Sequence, residues 1–308
     1  MNMEVFILGT GGMMPLPGRS LTSVLLRREG ELLLFDCGEG TQISLRRLNL
    51  RWKKISAVFI SHTHADHVTG IPGILMLSSQ VERDEPLTII GPPRIREYVE
   101  ASRRILDMYI NYEIVVREVH GPEVLWEREG YRVSSYPLAH SKPCLAFSLE
   151  ESQRPGIFQP ERALELGVPR GPQWSVLQSG QAVSTPAGRQ VLPGEVMGPL
   201  RQGRKFSFMT DTGYVPGAVD FVRGSDLLIC EGMFAEELAA DAQEKKHLTA
   251  RQAARIASLA EVKRLGLIHY SPRYTDRELK GLLAEAREIF PESFLTRELQ
   301  AIELLYPD

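Results

Sequence analysis

Three imidazoles and one carboxylate fall within six positions in His62-Thr63-His64-Ala65-Asp66-His67. Both are metal ligands, and a cluster of them is costly to bury unless a cation compensates it. His62 and His64 lie two apart, so in an extended segment they point the same way. Asp66 and His67 follow after a turn and face a neighbouring point from the other side. That suits two metals side by side better than one. With no thiolate in the set, zinc is favoured, and manganese or iron also fit. The alternative is a polar surface loop with chance histidines, and the flanking sequence weighs against it.

Something must hold these ligands in place. Residues 57–60, Ala-Val-Phe-Ile, form a buried-type apolar run that reads as a strand leading into the cluster. Gly70 and Gly73 follow it, as suits a ligand loop at a strand end. Upstream, residues 3–8 read as a first strand ending in Gly9-Thr10-Gly11-Gly12. That turn lacks the continuation of a phosphate-binding loop. Strands over 23–27 and 31–35 precede Asp36, which is followed by Gly38 and Gly40. Two readings of Asp36 stand: it accepts backbone N–H bonds and shapes the metal loop, or it is an ordinary turn aspartate. Residues 41–48 look helical. Arg46, Arg47, Arg51, Lys53 and Lys54 form the densest basic run, either a solvated face or a phosphate contact.

Beyond the cluster, helices are expected over 71–80 and 94–109, and strands over 87–91, 112–119, 131–137 and 146–149. The texture then changes. From about 150 to 203 the chain carries Arg154-Pro155-Gly156, Gly171-Pro172 and Leu192-Pro193-Gly194, with one short helix expected over 159–166. So long a loop is an exposed, variable insertion or an arm that grips a partner. Core strands resume over 206–210, 226–230 and 262–268. Helices are expected over 248–259 and 276–289, with Thr275 and Glu278 spaced as a capping box. A last strand is expected over 294–306.

The chain has 308 residues, 43% hydrophobic and 24% charged, which is ordinary for a globular protein with a sizeable core. Its net charge of −3 excludes a global basic field, so a polyanion would be met by local patches. Three cysteines, Cys37, Cys144 and Cys230, give no disulfide framework and fit a reducing cytoplasm. The start, Met1-Asn2-Met3-Glu4, lacks a basic n-region, so no secretory leader is expected. No apolar run is long enough to span a bilayer.

The His-x-His-x-Asp-His run after a strand resembles the metallo-β-lactamase superfamily. The resemblance implies an α/β fold of the αββα type, with two mixed β-sheets flanked by helices and the active site at one edge. It implies further ligands at later strand ends: His140, Asp211 as a bridging carboxylate, and His269. One cation would take His62, His64, His140 and Asp211; the other would take Asp66, His67, His269 and the same Asp211. The implied cofactor is two Zn2+ per subunit, with Mn2+ or Fe2+ as alternatives. Of seven histidines only His120 is left over, since His247 is a separate candidate.

The resemblance narrows to the ribonuclease Z family of tRNA 3′-processing endonucleases. Phe35-Asp36-Cys37-Gly38-Glu39, the stretch from His62 to Gly73, Thr210-Asp211-Thr212 and His269-x-Ser-x-Arg-Tyr carry it. It implies one metallo-β-lactamase-like domain over 1–308 with an inserted, protruding tRNA-binding arm over about 150–203. Gly171 and Pro172 stand where the family has its elbow-clasping Gly-Pro element. It implies removal of the 3′ trailer from precursor tRNA, leaving a tRNA 3′-hydroxyl, by a homodimer without membrane attachment. Asp66 would accept the water proton. His247, in His247-Leu248-Thr249, would donate a proton to the departing ribose oxygen, and Glu231 would orient it. Arg273 would touch phosphate. The family's Pro-x-Lys-x-Arg-Asn loop reads Pro15-Leu16-Pro17-Gly18-Arg19-Ser20, without the lysine and asparagine. The rival readings are a hydrolase of another small phosphodiester or ester on the same scaffold, a redox di-iron protein, and a non-catalytic RNA binder. The di-iron variant places an acidic residue where His64 stands, and the full ligand set argues against the binder.

Overall fold

The computed structural model describes residues 2–81 and 83–306; Met1, the first residue of the start read for a leader, lies outside them. Short apolar runs closed by glycine and polar turns give the strands. β1 (Met3–Gly9), β2 (Ser23–Arg28) and β3 (Glu31–Phe35) form an antiparallel meander. α1 (Thr41–Arg47) crosses to β4 (Ile55–Phe59), which runs parallel to β3. A one-turn helix, α2 (Ala65–Val68), and α3 (Ile71–Gln80) lead to β5 (Leu87–Gly91); α4 (Ile95–Ile105) leads to β6 (Ile114–Glu118). β5 and β6 continue the parallel run.

The second sheet begins with the hairpin of β7 (Val124–Arg128) and β8 (Tyr131–Leu138), then β9 (Cys144–Glu151). α5 (Pro160–Glu165), α6 (Pro172–Gln178) and the two-residue strands β10 (Val183–Ser184) and β11 (Gln190–Val191) follow. β12 (Lys205–Met209), α7 (Pro216–Phe221) and β13 (Leu227–Glu231) return to the sheet. α8 (Ala239–Lys245), α9 (Ala250–Leu259), β14 (Leu265–Ile268), α10 (Leu279–Ile289), β15 (Ser293–Leu295) and β16 (Ala301–Leu304) complete the chain.

The strands form two seven-stranded mixed sheets, ordered β16-β1-β2-β3-β4-β5-β6 and β15-β14-β13-β12-β9-β8-β7. Residues from the facing sides of both sheets make one buried cluster, in which Phe35 stacks on Phe59 at 5.1 Å and meets Phe206 edge-on at 5.3 Å. A central strand is covered on both faces, which is why residues 57–60, from the second half of β4 onward, read as a continuous apolar run. Its Phe59 points into the inter-sheet core and its Val58 into the layer shared with α1, α3 and α4. Helices α7, α9 and α10 cover the outer face of the second sheet. The αββα sandwich expected from the sequence is thus formed.

Residues Glu151–Arg204, together with Tyr306, form a separate compact unit. It has its own core of Ala163, Leu166, Val168, Leu177, Val183, Val191 and Val196, with Phe158 against Trp174 at 5.2 Å. At its ends the buried side chains of Arg204 and Glu151 pair through Nε–Oε2 at 2.8 Å. The guanidinium groups of Arg154 and Arg204 lie 3.7 and 3.9 Å from the centre of the Tyr306 ring.

Several expectations need correction. The single last strand over 294–306 is two strands in different sheets, because the polar turn 296–300, with Leu299 at φ 67°, breaks the run. Helix α4 stops at Ile105 rather than 109, since Asp107 takes a positive φ of 45°. The insertion holds a second helix, α6: Gly171-Pro172 reads as a loop, but Pro172 occupies the first helical position, where its missing N–H costs nothing. The edge strand β7 was not expected, since Glu127 and Arg128 interrupt its short apolar run. The Thr275/Glu278 box forms its reciprocal bonds, Thr275 N to Glu278 Oε2 at 2.8 Å and Glu278 N to Thr275 Oγ1 at 3.4 Å, on the turn before α10. No helix among the described residues is long and apolar enough to cross a membrane.

Candidate metal centre

Each sheet has a run of four parallel strands, β3 to β6 and β12 to β15. Loops at the carboxyl ends of parallel strands converge at one edge, where such folds place their sites. Asp36 follows β3, His62 follows β4, Asp211 follows β12, Glu231 ends β13, and His269 follows β14. His140 follows β8, from the antiparallel part of the second sheet.

Asp36 is fully buried at φ 53° and touches the cluster from behind. Its Oδ1 accepts the Ser61 N–H at 2.7 Å; its Oδ2 accepts the Ser61 hydroxyl and His67 Nδ1–H, both at 2.7 Å. This settles the two readings of Asp36 in favour of the loop-shaping role. With its own proton given to Asp36, Ser61 Oγ accepts from His62 Nδ1 at 3.0 Å. The Nε2 atoms of His62 and His67 therefore both face the site. A Cβ on Gly70 would fall 2.3 Å from the carbonyl oxygen of Gly38, so glycine lets α2 dock against the 36–38 turn.

Two groups of ligand atoms result. His64 Nδ1 lies 2.9 Å from His62 Nε2 and 3.2 Å from His140 Nε2. His140 is fixed by its Nδ1–H, which donates to the carbonyl of Lys246 at 3.1 Å. Asp66 Oδ2 accepts the Met13 N–H at 2.7 Å and lies 3.2 Å from His269 Nε2 and 3.6 Å from His67 Nε2. Asp211 faces both groups. Its Oδ2 is 3.6 Å from His62 Nε2 and 3.7 Å from His140 Nε2; its Oδ1 is 3.2 Å from Nε2 of both His67 and His269. Within each group, His62–His64–His140–Asp211 and Asp66–His67–His269, one ligand atom per residue lies within 4.8 Å of the others.

The donor set fits divalent cations. Asp211 Oδ1 is buried and accepts no hydrogen bond, although two ring nitrogens lie beside it. An unsatisfied buried carboxylate oxygen is costly, and a cation among these lone pairs removes the cost. Burial and the neighbouring imidazoles hold His62 well below the ordinary histidine pKa, which favours the neutral ring that ligation needs. Burial opposes charge on Asp66 and Asp211 too, but the surrounding histidines hold both well below the usual carboxylate range.

The other expected residues divide. Glu231 is fully buried, accepts the Thr212 N–H at 2.6 Å, and takes His247 Nδ1 at 3.1 Å. His247 lies 3.9 Å from Asp211 Oδ2, and Asp211, His247 and His269 form a third group with ligand spacing. Arg273 turns its Nε to Ser271 Oγ at 3.1 Å and lies over the Phe234 ring. Gly171 and Pro172 belong to the separate unit rather than to this cluster. Arg19 is buried, bonded to the Tyr274 carbonyl and to Asp276. Sequence reading missed Ser61, the Met13 N–H and the Lys246 carbonyl. Ser61 carries a signal, as a hydroxyl placed before a ligand; the two backbone groups carry none.

An αββα sandwich with histidine and aspartate clusters at its carboxyl-end loops defines the class of β-lactamase-like metal-dependent hydrolases. The model of the β-lactamase superfamily domain matches residues 178–270, and that of the anti-Pycsar protein Apyc1 matches residues 3–103. A ribonuclease Z of Treponema denticola is 62% identical over 308 residues, covering 100% of both chains. A ribonuclease Z of Borrelia recurrentis is 42% identical over 97% of this chain and 96% of its own. The crystal structure of human tRNase Z, short form, aligns with a TM-score of 0.72 at 27% identity, over 99% of this chain and 100% of that one. The chain belongs to the ribonuclease Z family.

Proposed function

We propose that the chain is a metal-dependent endoribonuclease that removes the 3′ trailer from precursor tRNA and leaves a 3′-hydroxyl on the tRNA. The observation that carries this reading is the divided carboxylate of Asp211, with Oδ2 toward His62 and His140 and Oδ1 toward His67 and His269. In this reading His62, His64, His140 and Asp211 hold one cation, and Asp66, His67, His269 and Asp211 hold the other. Two zinc ions per subunit are the proposed loading, with manganese or iron as alternatives. Bound there, such a pair supplies a water ionised near neutral pH and positive charge against the phosphate oxygens.

The chain's own residues do the rest. Asp66, steadied by the Met13 N–H, accepts the proton of the attacking water. Glu231 holds His247 by Nδ1, which leaves Nε2 free to give a proton to the departing ribose 3′ oxygen. Arg273 contacts a phosphate. The unit over about 150–203, with Gly171 and Pro172 at the start of α6, serves as the tRNA-binding arm. The proposed enzyme works in the cytoplasm as a homodimer; sedimentation velocity giving a monomer would remove that part.

The test is incubation with a tRNA precursor carrying a 3′ trailer, with and without chelator, followed by mapping of the cut. One cut at the tRNA 3′ end, lost with chelator and restored by zinc or manganese, is expected. An intact precursor after incubation with the metal-loaded protein overturns the reading.

A further inference from the structure

Two lysines stand beside the first ligand group with no acidic partner among the described residues. Lys142, two residues beyond His140, donates its ammonium to the carbonyl of Thr63, between His62 and His64, at 2.8 Å. Lys246 donates its own to the carbonyl of His140 at 3.3 Å, while its backbone oxygen receives the His140 ring. Both are exposed, and neither ammonium reaches a carboxylate within 4.0 Å among the described residues. Lys205 and Lys263, by contrast, reach Glu150 and Asp226 at 2.8 and 2.7 Å.

A carbonyl is a dipole and leaves an ammonium's net charge uncompensated. Two such charges beside a seat for divalent cations repel it, and an anion arriving between them turns that repulsion into attraction. The whole chain carries −3, so this cation pair is a local feature and not part of a general basic field. An ammonium has three donors, and one spent on a carbonyl leaves two for phosphate oxygens.

We infer that Lys142 and Lys246 are phosphate-positioning residues for the RNA strand, each taking a backbone phosphate next to the scissile one. The inference rests on the endoribonuclease reading. Phosphate contacts fix register and carry no base preference, so their effect falls on KM and on salt dependence. Each contact to a single strand contributes about 0.7 to the log–log salt slope, and about 1 kcal/mol, or roughly fivefold, to affinity.

The experiment measures kcat and KM for a trailer-bearing tRNA precursor over a series of KCl concentrations. The variants are Lys142→Gln, Lys246→Gln, their combination, and, as a charge control, Lys263→Gln, which lies before the amino end of β14 while His269 follows its carboxyl end. Each substitution at Lys142 or Lys246 is expected to raise KM about fivefold with kcat changed less, and to flatten the slope by about 0.7. Lys142→Arg is expected to restore the slope, and Lys263→Gln to keep it. The Lys142 and Lys246 variants lose more on the precursor than on bis(p-nitrophenyl) phosphate, which has no neighbouring phosphate. Unchanged slopes in the double variant, with a wild type that cuts, overturn the inference alone; so does a loss traced to missing metal by elemental analysis. A wild type that cuts no RNA sinks the endoribonuclease reading, and this inference falls with it.

Discussion

Replacing Glu231 by glutamine probes the coupling on which the proposed acid step depends. The His247 side chain is only 12% exposed, and its Nδ1 lies 3.1 and 3.2 Å from the two Glu231 oxygens. Burial pulls its pKa down, but the charge and hydrogen bond of Glu231, with Asp211 and Asp66 beyond, push it up to about 9 from 6.5. That rise is worth roughly 3 kcal/mol of preference for the imidazolium. Glu231→Gln removes the two strongest upward influences, and the pKa falls to the ordinary value or below. At pH 7.5 a ring titrating near 9 is almost wholly protonated, whereas one titrating near 6.5 is charged about one time in ten. The variant therefore loses about tenfold in kcat at pH 7.5 and regains it as pH is lowered toward 6. The amide oxygen still accepts the Thr212 N–H, so the backbone there is kept. Nearby divalent cations oppose the imidazolium, so the ring is titrated by NMR on metal-stripped protein. Because the folded pKa is raised, its stabilisation is complete below about 6.5 and is lost as pH rises through about 9. Thermal unfolding should show that alkaline loss in the wild type and not in the variant. A variant ring that still titrates near 9 refutes the coupling.

Asp66→Ala should lower precursor cleavage by about 10³-fold or more with the circular dichroism unchanged; wild-type turnover would remove Asp66 from the mechanism. His247→Ala should lower turnover by about 10²- to 10⁴-fold at full metal content; loss of metal instead would make His247 a ligand, as its spacing to Asp211 and His269 permits. Deleting about 150–203 should ruin tRNA cleavage and spare a small chromogenic phosphodiester; equal loss on both would end the arm reading. Phe59→Ala, at a fully buried ring stacked on Phe35, should cost about 3–5 kcal/mol in urea unfolding.

The ligand cluster was legible because its residue types are rare in buried loops and its spacing of two matches an extended strand end. The strands around it were legible because central strands covered on both faces are continuous apolar runs, as residues 57–60 and 227–230 are. The partition of ligands between two cations was not legible from spacing, since Asp211 and His269 lie far along the chain from His62. It comes from resemblance and stands as a proposal. What stayed hidden was carried by backbone atoms or short elements. The Met13 N–H and the Lys246 carbonyl belong to no residue type. Helix α6 hid behind a Gly-Pro pair that signals a turn and a helix start alike.

The buried carboxylate of Asp36 grips an imidazole from each half of the cluster, His67 directly and His62 through the hydroxyl of Ser61. Neither half can be loosened by itself through this anchor, since a change at Asp36 frees one ring in each. Under the proposed two-cation loading, an Asp36→Asn chain should therefore give up both ions together, at a lower chelator concentration than the wild type.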